Sequence, residues 1–264
     1  IRPSSIQTQH LRFSGLTKEW TPDFGEGSLS KYLVKHGIEH LFELEDTDGV
    51  RNRLLDLHFF KELYEDVDWT VILKYWRTLG EEEDAGQSYL KAVDKALSGQ
   101  VDSSLLKAVS IVGSFCEDLF FLDESLEITK KCLESRERLL GKEHLETLAS
   151  LYRMGSILQE IGNYEESEKY LRKAFKGREE VLGAEDPATL VSLNSIGIVL
   201  SVSGNDNKAE KYFRKVLEIS EKVLGEEHPD TLNLMRNIGF AYSNLEQWDK
   251  ALDYHFDSME GRRN

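Results

Sequence analysis

Two histidines near the start of the chain have the spacing of metal ligands. His36 and His40 stand four residues apart, so a helix through them would carry both imidazoles on one face. A zinc ion needs at least a third ligand, and a metalloprotease needs glutamate at position 37, where the chain has glycine. The pattern favours a half-buried histidine stripe beside Leu33 and Leu41 over a metal site.

The other reactive residue types also lack the partners that their chemistry requires. The only Gly-Lys pair, at 141–142, is followed by Glu143 and lacks the earlier glycine of a phosphate-binding loop. No serine stands in a nucleophile-elbow context. Cys116 and Cys132 are expected to be core thiols on the two helices of one repeat rather than a redox pair. We therefore predict no catalytic residue, no cofactor, no metal site and no enzymatic activity.

The composition indicates an acidic protein with enough apolar residues for a core. The 264 residues include 33 basic and 48 acidic side chains, a formal charge of −15, and 40% are hydrophobic. This charge repels nucleic-acid backbones and anionic lipid surfaces. No apolar run reaches the roughly 18 residues of a membrane-spanning helix, no signal-peptide pattern opens the chain, and two cysteines favour a reducing compartment. We expect a soluble cytoplasmic protein that neither binds nucleic acid nor inserts into membranes, and a fragment of a longer chain, since it starts at Ile1.

A repeat of 42 residues organises most of the chain. Gly141, Gly183 and Gly225 are each 42 residues apart, and so are three Thr-Leu pairs that begin at 147, 189 and 231. Residues 141–182 and 183–224 share 18 identities in 42 positions. A second set of glycines keeps the same step through four units: Gly113, Gly155, Gly197 and Gly239. Repeats of this length are typical of stacked units that bury their apolar faces against one another.

Each unit is predicted to contain two helices. Apolar residues keep helical spacing over 187–202 and again over 206–224, and Gly204 and Asn205 interrupt the pattern between them. Pro187 suits the first turn of the first helix, where a missing N–H costs nothing. Gly225 is predicted to end the second helix as a cap in the left-handed conformation.

Helix pairs with small residues where the two helices cross resemble tetratricopeptide repeats. Small residues also occupy the matching place on the second helix, at 125, 167, 209 and 251. The period exceeds the roughly 34 residues of the ordinary repeat. With the linker Leu-Gly-Glu-Glu-His-Pro-Asp-Thr-Leu at 224–232, it is similar to the long repeats of kinesin light chains and nephrocystin. The resemblance implies an all-α fold, a right-handed α-solenoid of tetratricopeptide helix pairs preceded by a helical arm. The repeats occupy 99–264, in units of about 99–140, 141–182, 183–224 and 225–264.

The segment before the repeats lacks the 42-residue pattern but keeps helical spacing. Over 28–98 we predict a helical arm, with one helix running from Val50 to Leu57 and an exposed acidic turn at 81–84. Its segments 54–57 and 68–76 are similar to the arm that follows the nucleotide-binding module in signal-transducing NTPases with repeats. Residues 1–27 are expected to be a poorly patterned leader.

The tetratricopeptide resemblance also implies a binding surface. In stacked helix pairs the first helices line the concave face, where peptides dock. Carrying the family pattern onto this chain gives a set of groove candidates: Tyr152, Ser156, Gln159, Asn194, Ser201, Asn233, Arg236 and Asn237. Asn194 and Asn237 are expected to hydrogen-bond an extended peptide backbone, Arg236 to anchor a carboxylate, and Tyr152 to offer an apolar platform. The alternative, that these are solvated residues without a ligand, stays open at this point.

An apolar stripe marks the last predicted helix. Trp248, Leu252, Phe256 and Met259 follow helical spacing, with no polar capping helix after them. We expect further repeats, or another surface such as a second copy of the chain, to cover this end. Trp248 itself is expected to pack at the start of its helix.

Together these features predict a non-catalytic interaction scaffold that binds a peptide or partner protein on the concave face. The resemblance implies a cytoplasmic scaffold, and a ciliary one if nephrocystin is the true relative. The alternative is the sensor or regulatory C-terminal part of a signal-transducing NTPase whose nucleotide-binding domain lies before Ile1. A phosphate-loop motif upstream would favour that alternative, and a long heptad segment would favour an adaptor like kinesin light chain.

Overall fold

The computed structural model describes residues 37–39 and 41–260. These residues form helices and connecting turns, and no strand occurs among them. The helices with described bounds are α1 (Thr47–Leu54), α2 (Leu57–Asp66), α3 (Trp69–Leu79), α4 (Ala85–Leu97), α5 (Ser103–Asp118), α6 (Leu122–Leu140), α7 (Leu145–Ile161), α8 (Tyr164–Leu182), α9 (Pro187–Val202), α10 (Asp206–Leu224), α11 (Pro229–Asn244) and α12 (Trp248–Glu260). The predicted histidine stripe of His36 and His40 and the predicted leader lie outside the described residues.

The chain forms two compact units, which divide between Ser135 and Arg136, inside helix α6. The core of the first unit takes buried residues from the arm, such as Leu54, and from the first repeat pair, such as Val109. The repeat pattern was predicted to begin near residue 99, but the first pair shares its core with the arm. The reason is that one helix pair buries too little apolar surface by itself and packs on whichever neighbour is present.

Aspartate side chains cap the starts of α1, α2 and α3. The single helix predicted from Val50 to Leu57 is wrong, because α1 ends at Leu54 and α2 starts after Asp56. The Asp56 carboxylate accepts the backbone N–H groups of His58 and Phe59, both at 3.1 Å. A side-chain acceptor of this kind satisfies N–H groups that have no partner in the first turn of a helix, so it starts a new helix.

The acidic turn predicted at 81–84 is present, but only Glu83 and Asp84 are exposed, and Glu81 and Glu82 are partly buried and paired. Glu81 forms an ion pair with Arg51, and Glu82 forms one with Arg77 at 2.8 Å. Hydrogen bonds from these guanidinium groups lower the pKa of both carboxyl groups below their usual range. These ion pairs therefore tie the turn between α3 and α4 to α1 and to the end of α3.

Aromatic rings fill the centre of the first unit. Trp76, Tyr89 and Phe115 are all buried, and the Trp76 indole nitrogen donates a hydrogen bond to the Tyr89 hydroxyl at 3.2 Å. Cys116 lies in the same core, where burial raises the pKa of its thiol to about 12. Cys132 on α6 is also reduced and buried. The prediction that both cysteines are core thiols on the two helices of one pair is confirmed.

In the second unit, the helix pairs have the bounds that the repeat predicts. Helices α9 and α10 span 187–202 and 206–224, as expected. The paired helices approach closely at the crossing glycines, because a Cβ atom built on Gly197 would lie 2.5 Å from the Phe213 ring. One repeat earlier, the small residue on the second helix has a polar use, since Ser167 Oγ donates to the Gly155 carbonyl at 2.6 Å.

The cap predicted at Gly225 is wrong in its conformation. Gly225 has φ 96° and ψ 160°, and Gly183 has nearly the same angles. Its φ is positive, but its ψ is extended, a region that essentially only glycine enters. The left-handed cap occurs instead at Gly162, with φ 89° and ψ 8°. The difference follows from the connections: Gly162 lies directly between two helices, whereas Gly225 leads into a further turn at 226–228 before the next helix begins at Pro229.

Helix α12 turns an apolar face outward. Leu252, Phe256 and Met259 are more than half exposed, as is Trp248 at 64%. The opposite face packs, with Ala251 buried. The prediction that Trp248 packs at the start of its helix is therefore wrong, because its position in the helical period aligns it with the outward stripe.

Candidate functional site

The predicted groove residues all lie on the first helices of three successive pairs in the second unit. Their distribution is Tyr152, Ser156 and Gln159 on α7, Asn194 and Ser201 on α9, and Asn233, Arg236 and Asn237 on α11. Capping side chains start these helices in the same way: His144 and His228 accept the N–H two residues later through Nδ1, and Asp186 does so through its carboxylate. Equivalent caps keep the three helices in equivalent register, so repeat positions can be compared directly.

Polar bridges connect neighbouring first helices at one repeated position. Asn237 Nδ2 donates to Asn194 Oδ1 at 3.2 Å, between α11 and α9. One repeat earlier, the hydroxyls of Tyr152 and Ser195 are 3.1 Å apart, between α7 and α9. A carboxamide has two donor hydrogens and an oxygen with two lone pairs, so the amide pair retains hydrogen-bonding capacity after this bridge forms. The hydroxyl pair retains less.

Three of the predicted asparagines meet at one cavity. Asn194, Asn233 and Asn237 line a cavity of about 200 Å³ between α9, α10 and α11. Apolar side chains from all three helices form much of the remaining wall, together with Ser220 and Asp230. Small-molecule sites usually measure roughly 300–1,000 Å³. This cavity therefore suits a single amino-acid side chain better than a free metabolite.

Tyr152 does not offer the open platform that was predicted. The Arg178 guanidinium carbon lies 4.9 Å from the centre of the Tyr152 ring, and the Tyr152 hydroxyl is bonded to Ser195. Arg178 is itself buried, and this burial lowers its pKa against the opposing effects of Tyr152 and Asp186. The ring and the guanidinium thus serve the helix junction, and one face of the ring is already covered.

The remaining candidates differ in how far they reach the surface. Arg236 is exposed and forms no ion pair with any described residue, so its guanidinium is open to a ligand. Ser156 and Gln159 are partly exposed. Ser201 does not fit the predicted role, because it is buried and its hydroxyl donates to the Asp206 carboxylate at 2.6 Å. We therefore leave Ser201 out of the groove.

Sequence reasoning missed the buried arginines of the second unit. Arg136 and Arg178 stand 42 residues apart, and each donates to a serine of the next helix, Ser150 or Ser192, which are also 42 residues apart. These matched spacings were present in the sequence and would have identified the contacts. They were passed over because arginine on a helix is usually exposed.

The described residues were also considered for metal binding and for crossing a membrane, and they suit neither. No group of three or more histidine, cysteine or acidic side chains among them is placed to hold a metal ion. None of the helices in the described part of the chain combines the length and the hydropathy needed to cross a membrane.

Comparisons with known proteins agree with this architecture. The tetratricopeptide repeat family model matches residues 106–180, 146–219 and 195–264, which together make up more than half of the chain. Among solved structures, a kinesin light chain protein of Podospora anserina with nearly identical repeats is 18% identical, with a TM-score of 0.61 over 80% of this chain and 96% of that one. BtubC (BKLC) from P. vanneervenii is 16% identical, with a TM-score of 0.63 over 90% and 92%.

No curated protein matches the chain significantly. Identities this low establish the fold alone, and the predicted fold class, an all-α solenoid of tetratricopeptide pairs, is confirmed. The chain belongs to the tetratricopeptide repeat family.

Proposed function

We propose that this chain is a non-catalytic interaction module that binds an extended segment of a partner protein along helices α7, α9 and α11. The observation that carries the proposal is the convergence of three carboxamides on one cavity of side-chain size. Asn194, Asn233 and Asn237 supply these groups, and Arg236 stands next to Asn237 in the sequence with its guanidinium exposed. Tetratricopeptide solenoids generally act as binding scaffolds, which agrees with this reading.

Side-chain amides suit the backbone of an extended peptide. Each amide both donates and accepts, as does each peptide unit, and every such hydrogen bond contributes about 0.5–1.5 kcal/mol net. The amides of Asn194 and Asn237 already hold each other at 3.2 Å, so they are partly ordered before a ligand arrives. Arg236 can bind a carboxylate through two parallel hydrogen bonds, which fixes the direction of the bound segment.

The finer predictions extend this proposal. A formal charge of −15 supports a protein ligand over a nucleic acid, and we propose a cytoplasmic scaffold. A ciliary location stays a prediction that depends on nephrocystin being the true relative. The alternative role, as the regulatory part of a signal-transducing NTPase, also stays a prediction, and it requires a nucleotide-binding domain before Ile1.

Peptide selection tests the groove directly. Random twelve-residue peptides displayed on phage would be selected against the chain, and the Kd of the best binders measured by fluorescence polarisation. We expect Asn237→Ala and Arg236→Ala each to weaken binding about three- to tenfold, the loss of one hydrogen-bonding group. Lys208→Ala is the matched control, because it removes one exposed positive charge from α10.

Two results would overturn the proposal. One is a set of binders whose Kd is unchanged by both groove variants. The other is a Kd that Lys208→Ala weakens as much as Arg236→Ala does, since binding would then depend on total charge.

A further inference from the structure

A buried arginine closes the junction between successive helix pairs in the second unit. Arg178 on α8 donates to the Ala188 carbonyl at 3.0 Å and to Ser192 Oγ at 2.8 Å, both on α9. Its guanidinium also stacks on the ring of Tyr152. Arg136 makes the same two bonds 42 residues earlier, to a backbone carbonyl and a serine of α7. The arginine side chain is thus a repeated part of the packing.

The next junction lacks this arginine. One repeat after Arg178 the chain has Ser220, one repeat after Tyr152 it has Asn194, and one repeat after Ser192 it has Leu234. Arginine and tyrosine are thus replaced by the smaller serine and asparagine, and only one serine is replaced by a larger residue, leucine. The cavity of about 200 Å³ lies here, lined by Ser220, Asn194 and Leu234. At the preceding junction the matching repeat positions hold the Tyr152 ring and the Arg178 guanidinium, which contact each other.

The cavity keeps groups that a guanidinium would bind. Asp230 lines it and holds the repeat position whose carbonyl accepts from Arg178 one junction earlier. Asn194 and Asn237 line it with carboxamides that already bond to each other. The Asp230 carboxylate adds a negative charge; its side chain is 73% exposed, and its Oδ2 lies 3.7 Å from His228 Nδ1. No basic side chain of the described residues lines the cavity. Its apolar walls suit the alkyl stem of a long basic side chain.

We propose that this cavity binds an arginine side chain of the partner segment, in the place that Arg136 and Arg178 fill at the preceding junctions. The inference rests on the proposed function, because it assumes that the partner lies along α9 and α11. Arginine fits better than lysine, since its planar group can donate to several acceptors at once in a fixed geometry. It fits better than leucine, which would leave the acceptors around it unpaired on burial.

Amino-acid amides test the cavity without a known partner. Nα-acetyl-arginine amide, Nα-acetyl-citrulline amide and Nα-acetyl-leucine amide would be titrated into the methyl-labelled chain and followed by NMR. We expect the arginine amide to shift the Leu190 and Leu234 methyl signals in a saturable way. Citrulline keeps the shape of arginine but lacks its charge, so we expect about tenfold weaker binding. The inference is overturned if the leucine or citrulline amide binds as tightly as the arginine amide, or if no amide moves these signals.

A variant that copies the preceding junction provides a second measurement. Ser220→Arg combined with Leu234→Ser would supply the chain with its own arginine at this position. We expect the shifts induced by the arginine amide to disappear while the helix content stays unchanged. Shifts that persist in the folded variant would contradict the inference. If the variant does not fold, the comparison of the three amides on the unchanged chain decides whether the cavity binds arginine.

The two proposals fail in different ways. If the selected peptides depend on Asn237 and Arg236 but the leucine amide binds as well as the arginine amide, the groove is supported and the arginine pocket is refuted. If the arginine amide binds at Leu234 but the Kd of the peptides is unchanged by both groove variants, the groove is refuted as the binding surface and only a side-chain pocket is supported.

Discussion

Replacing Gly197 with alanine tests the close crossing of α9 and α10 on which the repeat packing depends. A Cβ atom at this position would lie 2.5 Å from Cε1 and 2.7 Å from Cδ1 of Phe213, distances that unstrained packing does not allow. Phe213 is only 1% exposed, so its ring cannot move outward into solvent. The two helices must separate, or the ring must leave its preferred rotamer.

Two opposing effects set the size of the change. Alanine is favoured over glycine in a helix interior by about 1 kcal/mol, whereas overpacking a filled core costs about 1–3 kcal/mol. The short contact places this site near the upper end of that cost, so we expect Gly197→Ala to lower the free energy of unfolding by about 1–2 kcal/mol. Gly113→Ala is the matched control, because its Cβ would lie 3.3 Å from its nearest neighbour, the Thr129 hydroxyl. This contact is much milder, so it offsets only part of the helix-propensity gain. We expect the control to be as stable as the unchanged chain or up to about 1 kcal/mol more stable.

Hydrogen-exchange mass spectrometry suits this comparison, because it reports the stability of each helix pair separately. Peptides from α9 and α10 would report on Gly197→Ala, and peptides from α5 and α6 on Gly113→Ala. Faster exchange is expected only in the first case. If Gly197→Ala slowed exchange, or if both variants changed it equally, helix propensity would outweigh the crossing contact and the packing argument would be refuted.

Three further predictions concern capping, ionisation and the outward face of α12. Asp56→Ala removes a cap with two N–H bonds and should lower the free energy of unfolding, measured by chemical denaturation, by about 1 kcal/mol. Asp84→Ala, at a helix start without a side-chain cap bond, should lower it by less than about 0.5 kcal/mol. Equal losses would contradict the capping argument. The pKa of Cys116 rises from 9.0 to about 12 on burial, so its contribution to stability is fully present below pH 9. Between pH 9 and about 12 the folded chain keeps a proton that the unfolded chain releases, so the free energy of unfolding should fall there by up to about 1.4 kcal/mol per pH unit. A Cys116→Ala variant with the same alkaline loss would contradict this prediction. If the exposed stripe of α12 mediates self-association, Leu252→Glu combined with Phe256→Glu should abolish the self-association measured by light scattering. An unchanged chain that stays monomeric at high concentration would refute self-association through the stripe.

The repeat predicted much of the fold because its spacing repeats a local physical requirement. Pro187 and Gly204 bracket a helix by their backbone restrictions alone, and α9 has the predicted bounds. The crossing glycines were likewise identified by their 42-residue step, and Gly197 makes the close contact expected of it. The arm lacked such a repeat, so the cap at Asp56 competed with an unbroken apolar pattern and was overlooked.

The groove itself stays a prediction, but the structure shows the surroundings of its candidate residues. Asn194 and Asn237 lie on neighbouring first helices, where they line one cavity and bond to each other. Tyr152 is covered by Arg178, and Ser201 is turned to Asp206. A position on a helix face fixes the direction of a side chain only approximately, whereas its availability depends on the neighbour that reaches it from another helix.

The sequence by itself determined the helix pairs, their 42-residue period and the acidic charge of the chain, because these follow from local spacing and composition. Only the tertiary structure decided which polar groups remain open. Arg178 closes one junction and Ser220 leaves the next as a cavity, although both occupy the same repeat position. That difference arises from side chains of three helices that meet in space, and a cavity is a property of all of them together.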